Sequence, residues 1–128
     1  MAKESINPPQ APAPVGPYNR AVRCGDTRYV SGQIAPNPDT GTLLKTFIAQ
    51  ETQWVMQYLE TLVQAVVITM KGVVKCSIFI QNINDVGTVN EVYARFFDLK
   101  TAPAREMVKV NQLPKDARVE ISCTDSQA

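Results

Sequence analysis

The sequence predicts an α+β domain with the element order ββαβαββ, a two-layer sandwich whose two helices pack on one face of a mixed sheet. Two observations lead there. Apolar residues recur at helical spacing near residues 46–69 and 86–97, and a strand-like alternation separates the two stretches. A pair of strand-like segments stands at each end of the chain, joined in each case by turn-forming residues.

Each element has a local reason. Residues 7–17 hold five prolines and one glycine, so they are expected to run as an extended arm that ends at Tyr18. Residues 21–24 and 28–35 read as strands, and Gly25-Asp26-Thr27 between them suggests a hairpin. Asn37-Pro38-Asp39-Thr40-Gly41 is a strong loop signal. In the first helix Val55, Leu59, Leu62 and Val66 form the apolar stripe, and Trp54 and Tyr58, one turn apart, read as packing residues. Residues 73–80 alternate as a half-buried strand through Val74, Cys76, Ile78 and Ile80. Asp85 is placed to cap the second helix, whose stripe is Val89, Val92, Tyr93, Phe96 and Phe97. The last two strands, 105–110 and 117–123, are expected to be neighbours joined by Leu113-Pro114-Lys115-Asp116. Ile78, Ile80, Val108, Val110, Val119 and Ile121 exceed what two helices obviously cover, which points to a homo-oligomer burying the far sheet face.

Composition narrows the function classes. With 128 residues the chain reads as one domain, 1–128, large enough to bury about two-thirds of its unfolded surface. Thirteen basic and twelve acidic residues leave a net charge of +1 with no basic block, so a nucleic-acid partner is not expected. No apolar run reaches membrane-spanning length and the N-terminus resembles no targeting peptide, so a cytoplasmic protein without a membrane partner is expected. Cys24, Cys76 and Cys123 are odd in number and widely spaced, which suits reduced packing residues better than disulfides or a zinc site. Histidine is absent, so acid-base chemistry must rest on carboxylates, tyrosine, lysine, backbone groups or ordered water.

The C-terminal third carries the strongest chemical signal. Pro103-Ala104-Arg105 is followed by Leu113-Pro114-Lys115-Asp116 and by Glu120 on a second alternating segment, which sets an arginine and a carboxylate on two strands. Met107 is out of phase with Val108 and Val110, so Arg105 need not point to solvent. A guanidinium so placed can grip a carboxylate as a two-pronged fork, or it can be an edge-strand residue paired with a local acid.

Gly16-Pro17-Tyr18, Ser31-Gly32-Gln33, Asn37-Pro38-x-Thr40-Gly41, Asn84-Asp85, Thr88-Val89-Asn90-x-x-Tyr93, Pro103-Ala104-Arg105, Leu113-Pro114-Lys115 and Glu120-Ile121 stand in order and at compatible spacing. Over residues 14–123 this pattern resembles the Rid, or YjgF, family of reactive intermediate deaminases. The resemblance implies a chorismate-mutase-like subunit, a homotrimer with clefts between subunits, and no metal or organic cofactor. It also implies hydrolysis of imines and enamines such as 2-aminoacrylate to 2-keto acids and ammonia, so that small imine, enamine or 2-keto acid carboxylates are the expected ligands. By the same resemblance Arg105 holds the substrate carboxylate, Glu120 orients or deprotonates the attacking water, and Tyr18 closes the cleft. Ser31 and Gly32 flank the substrate, and Asn90 bonds toward the cleft. The residues alone leave plainer roles open: Tyr18 as anchor of the arm, Glu120 as a surface residue, Gly32 as a bulge, and Asn90 as a structural amide.

Three departures from the family pattern bear on the pocket. Ala102 replaces a common phenylalanine, Met107 replaces a cysteine or small residue, and Val66-Val67 stands where a glycine usually ends the first helix. Met107 cannot act as a nucleophile. Two further activities remain to be weighed: a ribonuclease or translation inhibitor, which the missing histidines and near-neutral charge oppose, and a catalytically weak ligand-binding or chaperone-like trimer.

Overall fold

The computed structural model describes residues 3–9, 16–35, 47–65 and 69–126. The chain runs through β1 (Glu4–Ile6), β2 (Ala21–Cys24), β3 (Thr27–Gln33), α1 (Ile48–Gln64), β4 (Val73–Ile80), α2 (Val86–Tyr93), β5 (Ala104–Lys109) and β6 (Val119–Ser126). The sheet order is β1-β2-β3-β6-β4-β5, antiparallel throughout except for the parallel pair β4 and β5. Both helices cover one face, as expected, and the sheet is mixed. One short strand, β1, is added to the expected order; it carries a single buried residue, Ile6, too little apolar signal to read from sequence.

The core forms where helical and strand periodicities meet. Val55, Met56, Leu59, Leu62 and Val63 of α1 and Val89 of α2 pack on Val30, Cys76, Ile78, Ile80, Val119 and Ile121 of the sheet. Burying each such aliphatic side chain contributes about 1.5–3 kcal/mol. Trp54 and Tyr58 lie partly buried against this core. The β2–β3 hairpin turns tightly at Gly25-Asp26, with Cys24 opposite Thr27 and only Gly25 at positive φ (62°), the pattern of a type II′ turn.

Two ionic contacts bind the layers. Arg28 on β3 is 1% exposed and forks onto Asp125 of β6 at 2.8 and 2.9 Å, while its Nη2 also donates to the carbonyl of Val63 near the end of α1 at 2.7 Å. Glu51, buried in the first turn of α1, accepts from the backbone N–H and Nε of Arg118 at 2.9 and 2.7 Å, which fixes the entry to β6.

Several expectations are corrected. The last two strands are not neighbours: β6 inserts between β3 and β4, and β4 separates it from β5. Residues 110–118 link β5 to β6 through a turn at Pro114–Asp116, long enough for this displacement. The apolar surplus is also spent differently. Ile78, Ile80, Val119 and Ile121 all face the helices and are buried within one subunit, leaving Val108 at 45% exposure on the open face. That face keeps Tyr29, at 55% exposure, open beside Val108, so the apolar residues left for an oligomer to bury are partly different from those counted in the sequence. Asp85 makes no side-chain cap; Asn82 Oδ1 accepts from Asn84 N–H at 3.0 Å and starts the short turn that leads into α2. The second helix ends at Tyr93, with Phe96 and Phe97 packed beyond it. Cys76 and Cys123 are buried, but Cys24 is exposed and not a packing residue. Residues 10–15 of the arm, the loop 36–46 and Val66-Val67 lie outside the described residues.

Candidate active site

The residues singled out from sequence fall into two groups on opposite faces of the sheet. The first surrounds an irregularity in β3. Val30 pairs with Cys123 but Gln33 pairs with Ile121, so one extra residue is accommodated at Ser31-Gly32, a β-bulge. Ser31 donates its hydroxyl to the Asn19 carbonyl at 2.7 Å, and its N–H bonds the Arg20 carbonyl at 2.9 Å. Asn7 Oδ1 in turn accepts from Arg20 N–H, and the Pro8 carbonyl accepts from Arg20 Nη1, both at 2.9 Å. The start of the arm is thereby pinned beside the bulge. Tyr18, 45% exposed, is turned by a bond from its N–H to the Gly16 carbonyl at 2.9 Å. Tyr18 and Ser31 line a cleft of about 390 Å³ together with Asn19, Val22 and Tyr29.

Glu120 belongs to this group. It alternates with the buried Val119 and Ile121, so it lies on the face the helices leave open, next to the bulge. A Cβ built on Gly32 would stand 2.6 Å from Glu120 Oε2 and 2.8 Å from its Cδ. The missing side chain of Gly32 is thus filled by the Glu120 carboxylate rather than by a ligand. Desolvation by burial holds the Glu120 pKa above 4.5, the direction required of a base that must shed and regain a proton. Gly32→Ala is expected to displace that carboxylate. The two closest atoms belong to the carboxylate at the far end of a flexible side chain, with Cγ next at 3.0 Å, so stability should fall by no more than about 1 kcal/mol. If Glu120 acts on bound ligand, turnover of 2-aminoacrylate should fall at least about tenfold. A thermal melt and kcat on this one variant separate the two effects; unchanged kcat would detach Glu120's placement from catalysis.

The second group sits at the sheet edge. Arg105 on β5 is level with Cys76 on β4, and its side chain reaches the helix layer. Arg105 Nη2 donates to Asn90 Oδ1 at 2.5 Å, and its Cζ lies 4.9 Å from the ring centroid of Tyr93. The side chain is exposed, and among the described residues no carboxylate forms an ion pair with it. The plain reading of Arg105 as partner of a local acid therefore fails. The local acid, Glu106, turns to the other face, where it bonds Lys75 at 2.8 Å and Ser77 Oγ; these contacts hold its carboxyl below the ordinary value.

Within one chain the two groups do not meet. Glu120 is level with Phe79 on β4, three positions along from the row of Cys76 and Arg105, and two strands away, on the order of 14 Å between Cα atoms. They also point to opposite sides. The sequence places Tyr93 in an apolar stripe and in the motif Thr88-Val89-Asn90-x-x-Tyr93, without assigning it a role at the site. The signal was its spacing of three from Asn90, which puts both on one side of α2 beside the arginine.

This sheet order, with both helices on one face, is that of the YjgF/L-PSP fold, and it carries an exposed edge arginine and a desolvated glutamate beside a β-bulge. A solved structure of a Rid-family protein from Yersinia pestis matches it with a TM-score of 0.92 at 39% identity, covering 98% of this chain and 99% of that one. Escherichia coli TdcF with bound serine matches with a TM-score of 0.89 at 32% identity, covering 98% and 99%. A Dermatophagoides farinae protein named 2-iminobutanoate/2-iminopropanoate deaminase is 44% identical over 119 residues, 93% of this chain and 92% of the relative. The model of the family described as Endoribonuclease L-PSP matches residues 8–126, and the chain belongs to this family, the YjgF/Rid family.

Proposed function

We propose that the protein is a hydrolytic deaminase of amino-acid-derived imines and enamines such as 2-aminoacrylate, working as a homotrimer. One observation carries the reading: an exposed guanidinium held by a neutral amide and an aromatic ring, with no carboxylate paired to it among the described residues. A planar carboxylate beside an electrophilic carbon suits that fork. The mite relative's name supports the substrate class.

In this reading the substrate enters as the imine, or tautomerises to it by protonation of the enamine carbon. Arg105 fixes the carboxylate and so the face of attack. Glu120 takes a proton from water as the water oxygen adds to the C=N carbon of the protonated imine, returns it to the nitrogen of the resulting carbinolamine, and takes up the carbinolamine hydroxyl proton as the carbonyl forms and the C–N bond breaks. Ammonia and the 2-keto acid leave. Tyr18 and the bulge wall the ligand, and Ser31, whose hydroxyl proton goes to Asn19, acts as an acceptor there. Arg105 and Glu120 face apart within one chain, so the complete site draws one group from each of two copies. Clefts between subunits of a trimer supply that meeting. The protein should therefore elute at about three times its 14.1 kDa mass, and a fully active monomer by light scattering would overturn the shared cleft.

Among the described residues no helix is long and apolar enough to cross a membrane. The three unpaired cysteines support a cytoplasmic place of action. No observation favours RNA hydrolysis in a chain without histidine.

Glu120→Gln tests the base directly. Turnover should fall roughly ten- to thousandfold, with KM little changed because Arg105 holds the carboxylate. Stability should move the other way. A carboxyl whose folded pKa is raised by desolvation favours the fold when protonated, and that contribution is lost as pH rises through the folded value. At neutral pH the Gln variant should melt slightly higher than wild type, and the difference should vanish below about pH 4.5. The acid limb of wild-type kcat should lie above that same value. Unchanged turnover would remove Glu120 from the chemistry.

A further inference from the structure

Tyr93 has no part in the chemistry above, yet everything around it is fixed. Its side chain is 7% exposed and its ring lies 4.9 Å from that of Phe97, tilted by 45°. Its hydroxyl faces inward, toward the Cys76 thiol, and finds no partner at hydrogen-bonding geometry among the described residues. Burial pushes the phenol's pKa upward, so the group stays a neutral hydroxyl. The hydroxyl thus points away from any ligand at the sheet edge, and what Tyr93 offers there is the face of its ring. Arg105 lies over that face while Nη2 is tied to Asn90 Oδ1. An exposed arginine ordinarily samples many rotamers and loses that freedom on binding. This one is held from below and from one side, with its remaining N–H groups clear of both contacts.

We propose that Tyr93 is a positioning residue for Arg105: its ring face, with Asn90 Oδ1, holds the guanidinium plane in the posture that receives a planar carboxylate. The inference rests on the carboxylate-binding reading of Arg105 and adds the group that makes it a preorganised fork. A guanidinium over a ring is attracted by the ring's quadrupole, worth a factor of roughly two to five in affinity at an exposed site. Asn90 alone leaves rotation about the Nη2 contact unrestrained.

The test replaces Tyr93 by Phe, by Leu, and by 4-fluoro- and 3,4,5-trifluorophenylalanine, which keep nearly the same shape while weakening the quadrupole. Two readouts are taken on the assembled protein: pyruvate affinity by calorimetry with KM and kcat for 2-aminoacrylate, and the NMR exchange of the Arg105 Nε–H and Nη–H groups. Tyr93→Phe should leave both readouts within twofold of wild type, since the ring face is kept. Across the fluorinated series pyruvate affinity should fall stepwise, by roughly two- to fivefold in all, with KM rising to match and kcat nearly constant. Tyr93→Leu should free the guanidinium to rotate. A flat fluorination series, a loss in Tyr93→Phe, or an Arg105 that stays ordered in Tyr93→Leu would each overturn the platform. If the Leu variant does not fold, the isosteric series still decides. Wild type that neither binds pyruvate nor consumes 2-aminoacrylate would sink the deaminase reading instead, while the NMR comparison would still rule on the platform.

Discussion

Arg105→Ala is expected to lose at least about a hundredfold in kcat/KM for 2-aminoacrylate, because two charge-assisted hydrogen bonds to the substrate carboxylate disappear together. The side chain is exposed and bears no ion pair among the described residues, so melting temperature should shift by only a few degrees and the assembly should persist. Arg105→Lys should fail nearly as badly. A single ammonium cannot present two parallel N–H groups, and it would also lose the guanidinium's contact with the Tyr93 ring. Steady-state kinetics beside a thermal melt checks this, with decay of 2-aminoacrylate to pyruvate as the signal. Most of the activity surviving in either variant would remove Arg105 as carboxylate anchor.

Asp125→Ala should be the most destabilising single change in the described chain, by about 3–5 kcal/mol. Arg28 and Asp125 are both buried, and deleting the carboxylate strands a guanidinium that keeps only the Val63 carbonyl as partner. For a chain of this length that corresponds to a Tm lowered on the order of 10–20 °C. Replacing both partners by apolar residues, Arg28→Met with Asp125→Val, should recover much of the loss, because the penalty comes mainly from the unpaired charge. A single variant within a degree or two of wild type would show that water reaches the pair after all.

How far the sequence carries can be judged from particular residues. The α1 stripe was legible because Val55, Leu59 and Leu62 repeat at the period of the helix that buries them. The strand alternation through Cys76, Ile78 and Ile80 was equally plain. Strand neighbours were not legible. Adjacency in sequence suggested a β5–β6 hairpin, whereas β6 is drawn between β3 and β4 by its buried Val119, Ile121, Cys123 and Asp125, whose partners lie far off in the chain. The arginine and the glutamate could be named from motifs, but their opposite facing depends on register carried across β4, which no local pattern encodes. Gly32 shows the middle case. A glycine in a strand announced a bulge or a close approach, and only the structure reveals that the approaching atoms are those of Glu120.

The central position of β6 has a consequence for how the chain reaches its native state. The strand that comes last in sequence is flanked on both sides, pairing Arg28 with Asp125 and Cys76 with Cys123 across long intervening stretches. Until it docks, β3 and β4 remain two separate edges with unpaired backbone groups, open to pairing with other chains. Closing such distant pairings carries loop entropy before contacts repay it, so consolidation should be slow and late rather than stepwise from the N-terminus. A chain lacking residues 119–126 would lose the sheet's midline rather than a fringe, and its N-terminal elements would have no stable half-structure to fall back on.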